Sequence, residues 1–263
     1  MATRSALINV MTDAARKAGR KLIRDFGEVE QLQVSRKGPA DFVSNADRRA
    51  EAILHKELSK VRPNYGFLME ERGVVAGSDT SNRWIVDPLD GTTNFLHGIP
   101  HFCVSIALER DGELVAGVIY APISDEMYWA EKGTGAHMND RRLRVSSRTD
   151  FADCVFATGI PFKGEPHHET FRRQLGKVMA VSAGVRRMGS AALDLAYVAA
   201  GRCDGYWEML VHPWDVAAGI VILREAGGLT LDIDGGDGMM TKGSIVATNA
   251  NVIGPFSELL RSA

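Results

Sequence analysis

The stretch Trp84-Ile85-Val86-Asp87-Pro88-Leu89-Asp90-Gly91-Thr92-Thr93-Asn94 sets two carboxylates, a glycine and two hydroxyls directly behind an apolar run. Carboxylate oxygens this dense suit a hard divalent cation held by Asp87 and Asp90, and the backbone amides that follow suit a phosphate. Glu70, next to Glu71, stands at the end of a predicted strand, and Asp215 in the first turn of a predicted helix. Each acid alone has an ordinary explanation in solvation or in compensation of a helix dipole. Together they make an all-oxygen donor set, which selects magnesium or manganese over zinc.

Other candidate constellations are weaker. Ser44-x-x-Asp47 has the form of a helix N-terminal capping pair, and on the residues alone capping is the better reading of Asp47. His97 and His101 have zinc-pair spacing, but Gly98 and Pro100 between them work against the continuous helix such a pair needs. Asp232-Ile233-Asp234-Gly235-Gly236-Asp237-Gly238 superficially resembles a calcium loop. It carries glycine at a ligand position, Gly236, and at the closing glutamate position, Gly243, and so reads as a turn. No GxxxxGK[ST] phosphate loop and no GxSxG elbow occurs.

These residues need elements to position them. Leu7, Met11, Ala15, Ala18, Leu22 and Phe26 recur at helical spacing over Ala6 to Phe26, a packing helix. A loop from Ser35 to Asp41 precedes a second helix reaching about Lys60, with Asp47 in its first turn. Gly66 to Met69 reads as a buried strand ending at Glu70, and Val75 to Asn82 as a polar surface loop. Pro88 removes a donor and forces extended geometry on Asp87, so the strand through Val86 should stop there, with Gly91 allowing a tight turn and Thr92 or Thr93 opening a helical one. Asp111-Gly112 between two apolar runs signals a hairpin, and short strands follow to Met138. This predicts an antiparallel first lobe, residues 1–150.

Residues 151–263 alternate strand and helix. Cys154 to Thr158, Gly184 to Met188, Asp204 to Glu208, Leu229 to Leu231 and Ser244 to Thr248 read as strands. Glu169 to Val181 reads as a helix; Ser190 caps another that stops at Gly201; Pro213 opens a third that Gly227-Gly228 ends; and a last begins near Val252. The second lobe is therefore α/β.

A 263-residue chain with 45% hydrophobic content has room for two lobes on a shared core. A formal charge of -2 gives no electrostatic reason for nucleic-acid or membrane binding, and Arg141, Arg142 and Arg144 read as solvated turn residues. Cys103, Cys154 and Cys203 are widely spaced and odd in number, which points to buried thiols in a reducing compartment. With no signal-type N-terminus and no apolar run of spanning length, the expectation is a cytoplasmic protein with no membrane association.

At this point the motifs carry a resemblance. Asp87-Pro88-Leu89-Asp90-Gly91-Thr92-Thr93-Asn94, preceded by Glu70-Glu71, resembles the first signature of the inositol monophosphatase family, and Trp214-Asp215-Val216-Ala217-Ala218-Gly219 its second. Arg187-Met188-Gly189-Ser190-Ala191-Ala192-Leu193-Asp194-Leu195-Ala196 is similar to its substrate-side segment, and the whole to its bacterial SuhB-type branch. The resemblance implies an α+β, layered αβαβα sandwich of the sugar-phosphatase type with the site in the cleft between lobes. It implies magnesium held by Glu70, Asp87, Asp90, Asp215 and the Leu89 carbonyl, and phosphate held at Gly91 and Thr92. Asp47, with the Thr92 hydroxyl, is implied to act on the attacking water, which displaces the capping reading. Asp90, Asp215, Glu208 and the backbone of Gly189, Ser190 and Ala191 are implied on the substrate side, and Lys37 near the metals.

The implied activity is hydrolysis of myo-inositol monophosphates and similar small esters, with lithium sensitivity and a homodimer as further family traits. Fructose bisphosphate, histidinol phosphate and 3′-phosphonucleotides are alternative substrates. A different class of function, a binding partner in transcription or ribosome assembly, also follows from the resemblance. The chemistry favours metals on its own terms: rate enhancements for phosphate monoesters reach about 10²¹-fold, more than a lone serine or histidine supplies.

Overall fold

The computed structural model describes residues 4–28, 34–36 and 42–263. Helix α1 (Ala6–Phe26) begins where Ser5 accepts the Ile8 amide at 3.1 Å, and it buries Ile8, Met11, Ala15, Ala18 and Leu22 along one face. An antiparallel ribbon, β1 (Val34–Arg36) and β2 (Phe42–Ser44), leads into α2 (Asn45–Val61). Then come β3 (Tyr65–Met69), β4 (Gly73–Val75), β5 (Asp79–Asp90), the short α3 (Thr92–Leu96), β6 (Cys103–Arg110), β7 (Glu113–Ala121), β8 (Glu126–Glu131), β9 (Gly135–Met138) and β10 (Arg141–Arg142). The second half runs β11 (Val155–Thr158), α4 (His168–Val181), β12 (Gly184–Arg186), α5 (Ala191–Ala199), β13 (Gly205–Met209), α6 (Pro213–Glu225), β14 (Gly228–Leu231), α7 (Met239–Lys242), β15 (Ser244–Asn249) and α8 (Ile253–Arg261).

Two sheets result, one of eight strands in the order β10-β9-β8-β7-β6-β5-β3-β4 and one of five in the order β12-β11-β13-β15-β14. α1 and α2 cover the outer face of the larger sheet, α5 and α6 fill the space between the sheets, and α4 and α8 cover the outer face of the smaller one. The result is the five-layer αβαβα sandwich. Pattern explains position: α1 is apolar on one face, whereas Val216 to Leu223 of α6 are all buried, as a helix between two sheets requires. Gly117 of β7 lets α6 approach closely, since a Cβ there would lie 2.5 Å from the Ala218 carbonyl oxygen. The hairpin between β6 and β7 turns at Asp111 (φ 51°) and Gly112 (φ 78°), the paired positive angles of a type I′ turn. No helix among the described residues is long and apolar enough to cross a membrane.

Several expectations need correction. β5 does not stop at Pro88 but runs on to Asp90, pairing Asp87 with Ser105 and Asp90 with Cys103 across an irregularity that absorbs one extra residue. A bulge is one of the places where a sheet tolerates a proline, so the missing N–H costs no ladder bond. The first sheet is mixed, because β3 pairs parallel with β5. Much of the expected loop from Val75 to Asn82 is strand, with Asp79 opposite Tyr65 and Asn82 opposite Arg110. Arg141 and Arg142 are exposed but form a two-residue edge strand against β9.

Candidate active site

The acid-rich turn is built by three local devices. The Asp87 carboxylate accepts the Leu89 amide at 2.9 Å and so spans the bulge. Gly91 takes φ 93°, a left-handed conformation, and a Cβ there would meet the His101 carbonyl oxygen at 2.9 Å. The Thr92 hydroxyl donates to the Leu89 carbonyl at 2.9 Å, closing the turn as α3 begins.

Distant elements then converge on it. Buried Asp47, in the first turn of α2, brings Oδ2 to 3.5 Å from the Thr92 hydroxyl. One carboxylate oxygen from each of Asp47, Glu70 and Glu71 lies within 4.8 Å of the others. From the second half, the N-terminus of α5 grips Asp90: Ser190 donates through its hydroxyl at 2.6 Å and Ala192 through its amide at 2.7 Å. Asp215 accepts the His212 amide at 2.7 Å, half of a capping box at the start of α6. Asn94 ties the halves together, donating to the carbonyls of His101 and Met188 at 2.8 Å each. Glu70, Asp87, Leu89, Asp90, Gly91, Thr92, Gly189, Ser190, Ala191, Glu208 and Asp215 all line one cleft of about 610 Å³, and Asp47 meets it through Thr92. Lys37 lies outside the described residues.

The chain is similar to known proteins over nearly its whole length. A model described as the inositol monophosphatase family matches residues 3–260. A Mesorhizobium japonicum protein named inositol-1-monophosphatase is 64% identical over 246 residues, 94% of this chain and 92% of its own. The chain belongs to the inositol monophosphatase family. It is also similar to the Nus factor SuhB of Escherichia coli K12, 43% identical over 247 residues, 94% of this chain and 92% of that protein. The solved structure of the extragenic suppressor protein suhB from Bartonella henselae matches it with a TM-score of 0.96 at 57% identity, covering 98% of this chain and 100% of that one.

In this member of the inositol monophosphatase family burial, with mutual repulsion second, disfavours the charged form of the acids. Burial, and then the charges of Glu70, Asp90, Asp215 and Asp47, push the Asp87 carboxyl well above the carboxylate range. Burial and then Asp90 do the same to Asp215, against the His212 amide that favours its charge. Asp90 is raised by burial, opposed by Ser190 and the α5 amides. So many carboxylates in one desolvated space, with no zinc-type donor set among them, fit a hard divalent cation that would neutralise them.

Several supporting residues had no signature in the sequence. Glu51 is buried and accepts the amides of Glu71 at 2.8 Å and Arg72 at 3.3 Å, pinning the turn that carries Glu70. Its only signal is a spacing of four residues from Asp47, which places both acids on one face of α2. Asn94 could have been found as the last residue of the turn motif, but its link to Met188 could not.

The rejected motifs also have clear places. α3 ends at Leu96 and His97 is exposed, so the two histidines share no helix face. Asp232 accepts the amides of Asp234 and Gly236 at 2.9 Å and of Gly238 at 3.0 Å, the hub of a turn. Cys103, Cys154 and Cys203 are free and buried.

Proposed function

We propose that this protein is a magnesium-dependent phosphatase that hydrolyses myo-inositol monophosphates and similar small phosphate monoesters. The observation that carries the reading is the convergence of acids from both halves of the chain on the Asp87–Thr92 turn, with the Asp47 carboxylate beside the Thr92 hydroxyl. Glu70, Asp87, Asp90, Asp215 and the Leu89 carbonyl would hold magnesium. The metal would supply Lewis-acid polarisation of the phosphoryl group and a lowered pKa for water.

The chain's own groups do the rest. The Thr92 hydroxyl donates a hydrogen bond to the Leu89 carbonyl, which leaves its lone pairs to orient a water, and the Asp47 carboxylate, 3.5 Å from that hydroxyl, stands to take the water's proton. The water oxygen bonds to phosphorus as the ester P–O bond breaks, giving inorganic phosphate and the free alcohol. Gly91 and Thr92 present amides to the phosphate, while Glu208 and the Gly189–Ala191 backbone face the alcohol.

The test is a phosphate-release panel of inositol 1-phosphate, fructose 1,6-bisphosphate, histidinol phosphate and a 3′-phosphonucleotide, with and without magnesium. Inositol 1-phosphate is expected to be turned over fastest, and only with metal; a higher rate on another ester reassigns the substrate. Family membership supports a cytoplasmic homodimer sensitive to millimolar lithium at limiting magnesium. A second reading, a binding role in transcription, is favoured by the name Nus factor SuhB carried by the Escherichia coli relative. Co-purification with a transcription complex that persists in Asp90→Asn would separate binding from catalysis.

A further inference from the structure

Glu208 lines the cleft near the end of β13, and two neighbours leave its carboxylate little freedom. The Tyr206 hydroxyl, wholly buried two residues earlier, donates to Oε2. Oε1 lies against Gly159, at the end of β11, so closely that a Cβ on Gly159 would stand 1.8 Å from it. Gly159 is not among the glycines with positive φ, so its backbone conformation does not demand glycine. The position is closed to a side chain by Glu208. β11 and β13 pair in parallel with Thr158 opposite Trp207, and the Thr158 hydroxyl donates to the Trp207 carbonyl at 2.9 Å, which locks the two strand ends together.

We infer that Gly159 and Tyr206 are positioning residues that hold the Glu208 carboxylate in one orientation, and that this clamp sets recognition of the alcohol portion of the substrate. Tyr206 occupies one carboxylate oxygen from the protein side. Oε1, packed over the Gly159 backbone where both residues line the cleft, is the fixed acceptor offered to a substrate hydroxyl. The clamp holds the carboxylate between opposing charges, since Asp90 and buried Asp194 repel it while Arg187 attracts it. Without the tyrosine hydrogen bond the carboxylate would be free to swing between these charges, and a side chain at position 159 would push it out of its place. An acceptor free to rotate pays an ordering cost on each binding event, and a fixed one does not.

The inference rests on the reading that Glu208 faces the alcohol, so the experiment includes Glu208→Gln as a separate arm. Gly159→Ala, Tyr206→Phe and Glu208→Gln are compared on inositol 1-phosphate and on p-nitrophenyl phosphate, whose leaving group has no further hydroxyl. The readouts are KM, kcat and the ratio of kcat/KM between the two esters. Glu208→Gln is expected to lower that ratio at least tenfold. Gly159→Ala should lower it by a similar factor, chiefly through KM for inositol 1-phosphate, and Tyr206→Phe by about threefold to tenfold. An unchanged ratio in Glu208→Gln overturns the reading of Glu208, and the clamp with it. A lowered ratio in Glu208→Gln alone overturns the clamp while leaving that reading intact. If Gly159→Ala fails to fold, Tyr206→Phe decides, since it removes only the donor. Equal losses on both esters in Tyr206→Phe mean a structural role and overturn the inference.

Discussion

The two walls of the cleft present their acids by different means. On the first-half wall, Asp87 and Asp90 follow one another through a bulge and a glycine turn, and Asp87 draws its one stabilising amide from Leu89, two residues away. On the second-half wall, Asp215 and Glu208 come from a helix start and a strand end, and each is fixed by a partner from its own element. Asp90 is where the walls meet, since its carboxylate belongs to the first and its donors, Ser190 and Ala192, to the second. The difference teaches that the first wall concentrates charge while the second aligns and restrains it.

The largest expected effect comes from breaking the junction. Asp90→Asn keeps the shape of the side chain but removes a charge shared by both walls, and it should lower kcat by at least about 10²-fold. Its melting temperature should fall little or rise, because one source of the repulsion on Asp87 and Asp215 is gone. Near-normal turnover at saturating magnesium would sink the assignment.

Metal removal probes the charge concentrated at the first wall. The carboxyls of Asp87 and Asp215 are raised in the folded protein. Their contribution to stability is therefore complete below the ordinary carboxylate range and is lost as pH rises through the raised values. Chelated protein should melt at a lower temperature at about pH 8 than at about pH 6. Magnesium at a fixed concentration, about a hundred times its dissociation constant at about pH 8, should raise the melting temperature by roughly 5–10 °C there and by less at about pH 6. Scanning fluorimetry in EDTA and in magnesium measures both, and a gain independent of pH contradicts the repulsion.

The two walls were also unequally legible in the sequence. The first could be read because its residues are adjacent: a proline, a glycine and two hydroxyls among acids have few structural uses. Even there the strand was misjudged, because the pairing of Asp90 with Cys103 that carries β5 past Pro88 is a long-range fact. Asp47 was ambiguous for a physical reason, since an acid in a helix's first turn is stabilised by the dipole whether or not it also meets Thr92. Asp215 was legible as the acid behind Pro213, although its capping bond to His212 and its place in the cleft are two uses of one side chain. Glu51, Gly159 and Tyr206 were not legible as supports. Each acts through a contact that exists only once helices and strands have packed.

The second wall can be tested through Glu208, whose carboxyl burial pushes up to about 7 against the opposing Tyr206 hydrogen bond. Between about pH 4.5 and about 7 the folded protein keeps a proton that the unfolded chain loses, so this stabilisation fades as pH rises through about 7. The difference is up to about 3 kcal/mol. In EDTA, Glu208→Gln should flatten the fall in melting temperature between about pH 5 and about pH 8 relative to the parent protein. Parallel curves would show that Glu208 ionises at an ordinary carboxylate pKa and that the second wall is not under charge stress.

The smallest effect should come from loosening the junction without removing its charge. Ser190 does two things with one oxygen: it donates to Asp90 at 2.6 Å and accepts the Leu193 amide at 3.4 Å as the N-cap of α5. Ser190→Ala removes both, and loss of a cap plus one hydrogen bond to a carboxylate should cost about 1–2 kcal/mol, or roughly 3–6 °C in melting temperature. Asp90 would still accept the Ala192 amide, so kcat should fall by less than about tenfold. Ser190→Thr keeps donor and acceptor and should recover most of both losses, since threonine also caps helices. A fall in kcat as large as that of Asp90→Asn would mean that the serine hydroxyl, rather than the helix amide, orients the shared carboxylate. The junction would then depend on a single side chain instead of on the packed end of α5.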